Sequence, residues 1–473
     1  MIKHYTGNWF INDFENQNHE WYGSLASPHC PDNYIVATGW CIDNSPVQAL
    51  YFNNDEEART STWIDQLKGC KWYVCHNATF EIQWMLRTYP KQFLEFINSG
   101  GRVFCTQYAE YILSHQLEMY PTLEDTTMRY GGSPKIDAVK LLWEQGVLSA
   151  DIDKALLMQY LAADGSNEFS DPTNPKFHGD VANTRRACFA QVAKLQEQGM
   201  MSMFKERMDS LLFCAIATYY GLYVDQEVAS KNQLEQELQI EDLKTQLLSM
   251  LPKDLPDDFE FSFTSDYHRS AFLFGGTVKY RGKVSYDPIK YEQVEAYEYT
   301  SLHDGCGTKY YQPINDIDPR YQTDAYELTV FKSGKNKGQP KVFKIDSNVE
   351  KLKWGDKEAK FDGLIKFDDL PTIVADAYTG KRAEFKGKRE LVDGTPIYST
   401  GKDSLDVLAA HTGVAKPLKL LAALIKDTTT YYLSVDDNGK QSGMLQFVEP
   451  TGIIHHRLNS CATITGRLSG SKP

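Results

Sequence analysis

The first ninety or so residues alternate short apolar runs with polar turns, and this rhythm constrains the fold more than any other feature. Trp9 to Phe14, Tyr34 to Ile42 and Lys71 to Cys75 are β-branched or aromatic runs of strand length. Directly after the third, Ala78 to Tyr89 repeats its apolar residues at helical spacing. Strands leading into a helix in this way predict an α/β domain. Further on, Ile152 to Ala163 reads as a helix closed by Gly165, SNEFSDPTNPKFHG as a polar loop, and Asp180 to Gly199 as a second helix ending on a C-cap glycine.

The remainder changes character twice. Met208 to Leu251 is helical in pattern, broken at Gly221-Leu-Tyr-Val-Asp225, with Asp225 placed to cap the segment that follows. From Gly275 to about Pro396, aromatic and β-branched residues alternate with charges and with turns such as SGKNKG, which predicts hairpins. Helical spacing returns at Lys402 to Ala410 and Lys416 to Leu433.

With 473 residues, 42% hydrophobic and 24% charged, the chain has material for two to four domains and no signature of disorder or of a fibre. No apolar run approaches the roughly 18–20 residues needed to cross a bilayer, and MIKHYTGNWFINDFEN lacks the apolar core of a signal peptide. A cytoplasmic protein with no membrane partner is expected. Nine scattered cysteines without a C-x-x-C pair are expected to be reduced, mostly buried and free of zinc. The net charge of −13 argues weakly against nucleic acid, but distribution decides. Between Phe331 and Glu390 there are fifteen Lys or Arg against ten Asp or Glu, whereas the first two hundred or so residues hold the carboxylate-rich segments. Such a split is compatible with DNA on the basic part and metal ions in the acidic part.

Asp13-Phe14-Glu15 places two carboxylates at i and i+2, on one face of a strand. Mg²⁺ takes oxygen ligands from several converging anionic groups, so this pair suits a cation site once other carboxylates join it. Alone, D-x-E is usually solvated surface. His76-Asn77-Ala-Thr-Phe80-Glu81 resembles the second motif, H-N-x-x-F-D, of the DEDD 3′–5′ exonucleases, with Glu81 where that family has aspartate. The glutamate carries the same charge one methylene further out. Two aspartates compete for the third motif: Tyr160-Leu-Ala-Ala-Asp164 has the Y-x-x-x-D spacing, while Asp180-Val-Ala-Asn-Thr184 resembles the D-V-x-x-T of many phage polymerases. Asp180 is preferred, because the helix it opens is long enough to pack on the sheet.

The final residues, Ala462-Thr-Ile-Thr-Gly-Arg467-Leu-Ser-Gly-Ser-Lys-Pro473, resemble the T-x-T-G-R-L-S-S-S-x-P run of family A (Pol I-like) DNA polymerases. Met208 to Asp225, Phe261 to Ser265 with Ser270 to Gly275, Tyr398 to Leu408, and Gly452 to Asn459 resemble further signatures of that family, in the same order. The resemblance, to the phage type, implies a ribonuclease H-like (DnaQ-type) exonuclease domain over 1–205. It also implies the start of the polymerase region with thumb helices over 206–276, a β-rich thumb insertion over 277–396, and thumb helices with the first edge of the palm over 397–473.

By the same resemblance the catalytic residues are Asp13, Glu15, Glu81 and Asp180, with Asp164 and Tyr160 as the alternative third motif. Two Mg²⁺ ions, or Mn²⁺ in their place, would be held by Asp13, Glu15, Asp180 and Glu81, and Tyr160 would orient the attacking water only in the Asp164 alignment. Asn77 and Arg467 would touch DNA, and Lys335 and Lys337 the duplex phosphates. Expected partners are primer-template, single-stranded 3′ ends and a processivity factor at the insertion, with dNTPs only in the complete polymerase. The palm aspartates and fingers helix of the family do not occur in these residues, so proofreading hydrolysis is the expected activity, in a bacterial host cytoplasm. Two alternatives remain: a stand-alone DnaQ-like 3′–5′ exonuclease, and a catalytically dead module that clamps DNA.

Overall fold

The computed structural model describes residues 8–134, 137–379, 383–436 and 438–471. The chain divides into two compact units, Met1–Leu234 with Asp427–Pro473, and Glu235–Lys426.

The first unit is built on a five-stranded mixed sheet. Its strands are β1 (Trp9–Asn16), β2 (Ile35–Ile42), β3 (Gln48–Tyr51), β4 (Trp72–Cys75) and β5 (Arg102–Cys105), in the spatial order β3-β2-β1-β4-β5. β1 and β2 pair antiparallel, as do β2 and β3, while β4 runs parallel to β1 and β5 parallel to β4. Parallel neighbours need a crossover, and α1 (Ala78–Thr88) lies in the one from β4 to β5. The later helices that bear on the site are α2 (Thr106–Leu113), α3 (Lys154–Ala162), α4 (Asp180–Glu197) and α5 (Met201–Tyr220).

All eight residues of β1 are buried, as expected for a central strand covered on both faces. On one face Trp9 stacks on Trp72 at 5.0 Å and meets Phe189 of α4 edge-on at 6.1 Å. On the other, Phe10 packs against Trp63 and Tyr73. Each fully buried large side chain of this kind contributes about 1.5–3 kcal/mol. The same alternation that fills the core sets Asp13 and Glu15 on the Trp9 face.

The C-terminal stretch belongs to this unit. Ile453–Ile454 pairs antiparallel with Leu222–Tyr223, the Tyr111 hydroxyl donates to the Thr463 carbonyl at 2.6 Å, and Trp21 Nε1 donates to Glu449 at 2.7 Å.

In the second unit, α6 (Asp266–Phe274) is capped by Ser265, whose hydroxyl accepts from His268 N. The strands β6 (Gly276–Ser285), β7 (Tyr291–Ser301), β8 (Lys309–Pro313), β9 (Tyr326–Leu328), β10 (Val342–Glu350) and β11 (Leu352–Phe361) follow. They are not a run of successive hairpins. β6 pairs antiparallel with β11, and β7 with β8, β9 and β10, so the outer ribbon encloses the inner sheet in sequence. The expected hairpin region also contains a helix, Thr372–Thr379, and α7 (Lys402–Ala409) lies beyond it. The apolar core of this unit joins Phe272, Leu273, Val278, Phe361, Leu405 and Leu418.

The other helical expectations hold with small changes of boundary: α3, α4 and α7 lie where the spacing placed them, and Asp225 Oδ1 accepts from Val228 N at 3.0 Å. All nine cysteines are free thiols, eight of them buried and Cys306 exposed. Among the described residues no helix is long and apolar enough to cross a membrane.

Candidate metal centre

The carboxylates of Asp13, Glu15 and Asp180 each offer an oxygen within 4.8 Å of the others. All three are buried, at 9%, 7% and 4% exposure. β1 carries the first two, and the first turn of α4 brings in the third. At that separation two full charges repel by roughly 3–4 kcal/mol at an effective dielectric of about 20. A cation held between them would offset that repulsion.

Glu81, on α1, lies near enough for the charges of Asp13, Glu15 and Asp180 to act on it, but is not one of the three whose oxygens meet within 4.8 Å. It is 4% exposed, and its Oε2 has no hydrogen-bond partner among the described residues. Burial first, then the charges of Asp13, Glu15 and Asp180, hold its carboxyl well above the usual carboxylate range. A buried, unpartnered carboxylate oxygen is costly unless something fills the gap. A divalent cation supplies what the protein withholds, so the residues present fit such an ion.

Local backbone chemistry explains how these side chains converge. Asn77 opens α1 in the left-handed region, φ 55°, and its carbonyl accepts from Phe80 N. His76, just before it, is tied to Thr106 through Nδ1 at 2.8 Å and to the Pro121 carbonyl through Nε2 at 3.1 Å. Ala78 N donates to Cys105 Sγ, stitching the helix start to β5. At α4, Gly179 N donates to the Ala163 carbonyl at 2.7 Å. A Cβ at Gly179 would stand 2.7 Å from the Tyr160 carbonyl oxygen, so only glycine lets the chain pass this close to α3 before Asp180.

Asn12 and Tyr73, which the sequence did not single out, support β1 from behind. Asn12 is fully buried; its amide donates to Thr38 Oγ1 at 3.1 Å and to the Gly39 carbonyl at 3.0 Å, and its Oδ1 accepts from the Tyr73 hydroxyl at 2.8 Å. A polar residue between Phe10 and Phe14 on one face of β1 was the only sign of it.

The remaining candidates lie elsewhere. Asp164 is outside the carboxylate group: its Oδ2 accepts from Val47 N, and its Oδ1 from Ser166 N and Asn167 N. Burial pushes its pKa up, but these backbone donors outweigh that and hold it below the usual range. It organises its own loop. Tyr160 is buried in α3 with its ring edge-on to Trp143 at 5.7 Å. Asn77 is exposed at the start of α1, and Arg467 is exposed, its carbonyl accepting from Thr463 Oγ1. In the second unit Lys335 and Lys337 are exposed on the SGKNKG turn, which is closed by Gly338 N donating to the Phe331 carbonyl. Of the basic run from Lys381 to Arg389, residues 381 and 382 lie outside the described residues.

No protein-family model matches the chain, and no curated protein matches it. Among solved structures the chain is similar to the POL domain of Pol1 from M. smegmatis, in complex with DNA primer-template and dNTP, at 13% sequence identity and a TM-score of 0.47. The match covers 100% of this chain and 52% of that one, so the chain spans about half the length of the structure it resembles.

Proposed function

We propose that the first unit is a metal-dependent 3′–5′ exonuclease of the DEDD type, the proofreading part of a phage-type family A DNA polymerase. The observation that carries this reading is the convergence of three buried carboxylates, with the buried carboxyl of Glu81 close enough to feel their charge. The sequence motifs around Asp13, Glu81 and Asp180 supply the family, and the central position of β1 in a mixed sheet supports it.

Asp13, Glu15, Asp180 and Glu81 would hold the ions. Bound there, a pair of Mg²⁺ or Mn²⁺ ions would lower the pKa of a water for attack on the terminal phosphodiester and stabilise the departing 3′ oxygen. The chain's own contribution would be to converge the oxygens of Asp13, Glu15 and Asp180, with Glu81 beside them, in a site that is largely buried. Asn77, exposed at the start of α1, would meet a strand end, and Arg467 would meet DNA. In the second unit, Lys335 and Lys337 would contact phosphates without regard to sequence.

The test is trimming of a 5′-labelled single strand by the 473-residue protein with Mg²⁺. One-nucleotide shortening from the 3′ end, lost in Asp13→Ala, is the expected result. Equal trimming by the variant would overturn the assignment. A second reading, a DNA clamp without hydrolysis, is favoured by one observation, the glutamate at position 81 where the motif has aspartate. It predicts no trimming, with primer-template binding unchanged by Asp13→Ala.

A further inference from the structure

Both helices that carry candidate ligands, α1 and α4, are tied to one fully buried residue, Thr106, the first of α2. Its hydroxyl meets His76 Nδ1 at 2.8 Å, and His76 leads into α1, whose first turn holds Glu81. Its carbonyl accepts from Gln191 Nε2 at 2.9 Å, and Gln191 belongs to α4. Gln191 follows Asp180 by eleven residues, close to three full turns, so the two lie on the same side of that helix. One residue is thus bonded both to the approach to α1 and to the body of α4.

The bonds around Thr106 admit one arrangement. The Pro121 carbonyl, 3.1 Å from His76 Nε2, can only accept, so Nε2 carries a hydrogen and the orientation of the ring is fixed. Gln191 Nε2 also donates to Glu110 Oε2 at 2.9 Å; both of its partners are acceptors, which settles the orientation of the amide. Glu110, itself buried, further accepts from the Tyr130 hydroxyl at 2.8 Å and from Arg129 Nη1 at 3.0 Å. An apolar contact between helices tolerates sliding. Hydrogen bonds weaken steeply once distance and angle drift, and a buried group that lost its partner would cost free energy. Apolar residues of the same volume could pack as stably here, but they would not hold α1 and α4 to one spacing. A ligand set needs that, because its members must be held within about 0.5 Å of their working positions.

We propose that Thr106 is a positioning residue of the carboxylate site: its hydroxyl and carbonyl set the separation of Glu81 from Asp180, and so whether two ions can be held side by side. It acts through His76 and Gln191, and its methyl group has no part in the effect. That role rests on the two-ion centre proposed above.

The experiment uses the 473-residue protein, titrated calorimetrically with Mn²⁺ and followed by electron paramagnetic resonance, in which two neighbouring Mn²⁺ ions give a coupled signal distinct from that of a single ion. Thr106→Val, which keeps the shape and loses the hydroxyl, should bind the second ion roughly 10-fold more weakly and lose the coupled signal. Thr106→Ser, which keeps the hydroxyl, should retain both. Gln191→Leu should weaken the pair in the same way, and serves as an independent variant if Thr106→Val does not fold. Tyr89→Phe breaks a different buried polar contact of this unit, to Trp63 Nε1 and the Ala58 carbonyl, and should leave the Mn²⁺ signature unchanged. Parental affinity and signal in Thr106→Val, equal impairment in Thr106→Ser, or an equal change in Tyr89→Phe would each overturn the assignment. Fewer than two Mn²⁺ ions bound by the parent would instead overturn the two-ion reading beneath it.

Discussion

Gly39 is the register partner of Asp13 across β1 and β2, and its missing side chain is what lets Val181 settle over the sheet. A Cβ at Gly39 would stand 2.8 Å from Val181 Cγ2 and 3.0 Å from Leu161 Cγ. Val181 is the neighbour of Asp180. Gly39→Ala is therefore expected to cost about 1–3 kcal/mol by overpacking and to push the Asp180 carboxylate away from Asp13. Urea denaturation would read the first effect, and the Mg²⁺-induced rise in melting temperature the second. An alanine variant unchanged in both would show that the helix can yield without disturbing the carboxylates.

Glu81→Gln separates stability from ion binding. Because the fold already holds this carboxyl well above the usual range through burial and its carboxylate neighbours, the neutral amide is its near isostere. Stability without metal should stay within about 0.5 kcal/mol near pH 7, while divalent-ion affinity falls at least about 10-fold. Isothermal titration with Mn²⁺ measures this, and undiminished affinity would remove Glu81 from the ligand set.

His29 should make the protein acid-sensitive. Burial first, then the charges of His455 and Arg87, lower its pKa from 6.5 to about 3. A depressed folded pKa means that the unfolded chain takes the proton first. The contribution is thus fully present above about pH 6.5 and is lost as the pH falls towards 3. Its full size is roughly 3–5 kcal/mol. In His29→Gln the fall in denaturant midpoint between pH 7 and pH 4 should be clearly shallower than in the parent; an equal slope would place the acid sensitivity elsewhere.

Asn12→Ala strands the Tyr73 hydroxyl, which has Asn12 Oδ1 as its acceptor at 2.8 Å. The expected cost is about 1–3 kcal/mol, and a double-mutant cycle with Tyr73→Phe should recover most of it. Strict additivity of the two changes would mean that the pair does not act as a unit.

Lys335→Ala combined with Lys337→Ala tests the second unit. If both lysines meet phosphates, the slope of log affinity for duplex DNA against log salt should become shallower by roughly 1–2, with no change in base preference. An unchanged slope would mean that this turn does not touch DNA.

How far the sequence leads depends on whether its signals are local. Strand period marks β1, and the i, i+2 spacing of Asp13 and Glu15 is enough to put both on one face. Helix spacing locates α4, and with it Asp180. What the sequence leaves open is a choice between Asp164 and Asp180, because both sit near helix ends; the distinction rests on Gly179 passing against the α3 backbone, a contact between segments that no local pattern encodes. The nested strands of the second unit escape for the same reason. Alternation identifies strands, but β6 meets β11 across a long stretch of chain.

That nesting has an engineering consequence. Ser285 and Leu352 sit side by side as register partners at the end of the β6–β11 ribbon, so the chain leaves and returns at a single gate. Everything from 286 to 351 behaves as a cassette: a two-residue turn could replace it and close β6 and β11 into one hairpin. The excised module, or a foreign one with similarly adjacent termini, could then be exchanged there without cutting through the apolar core around Phe272 and Phe361.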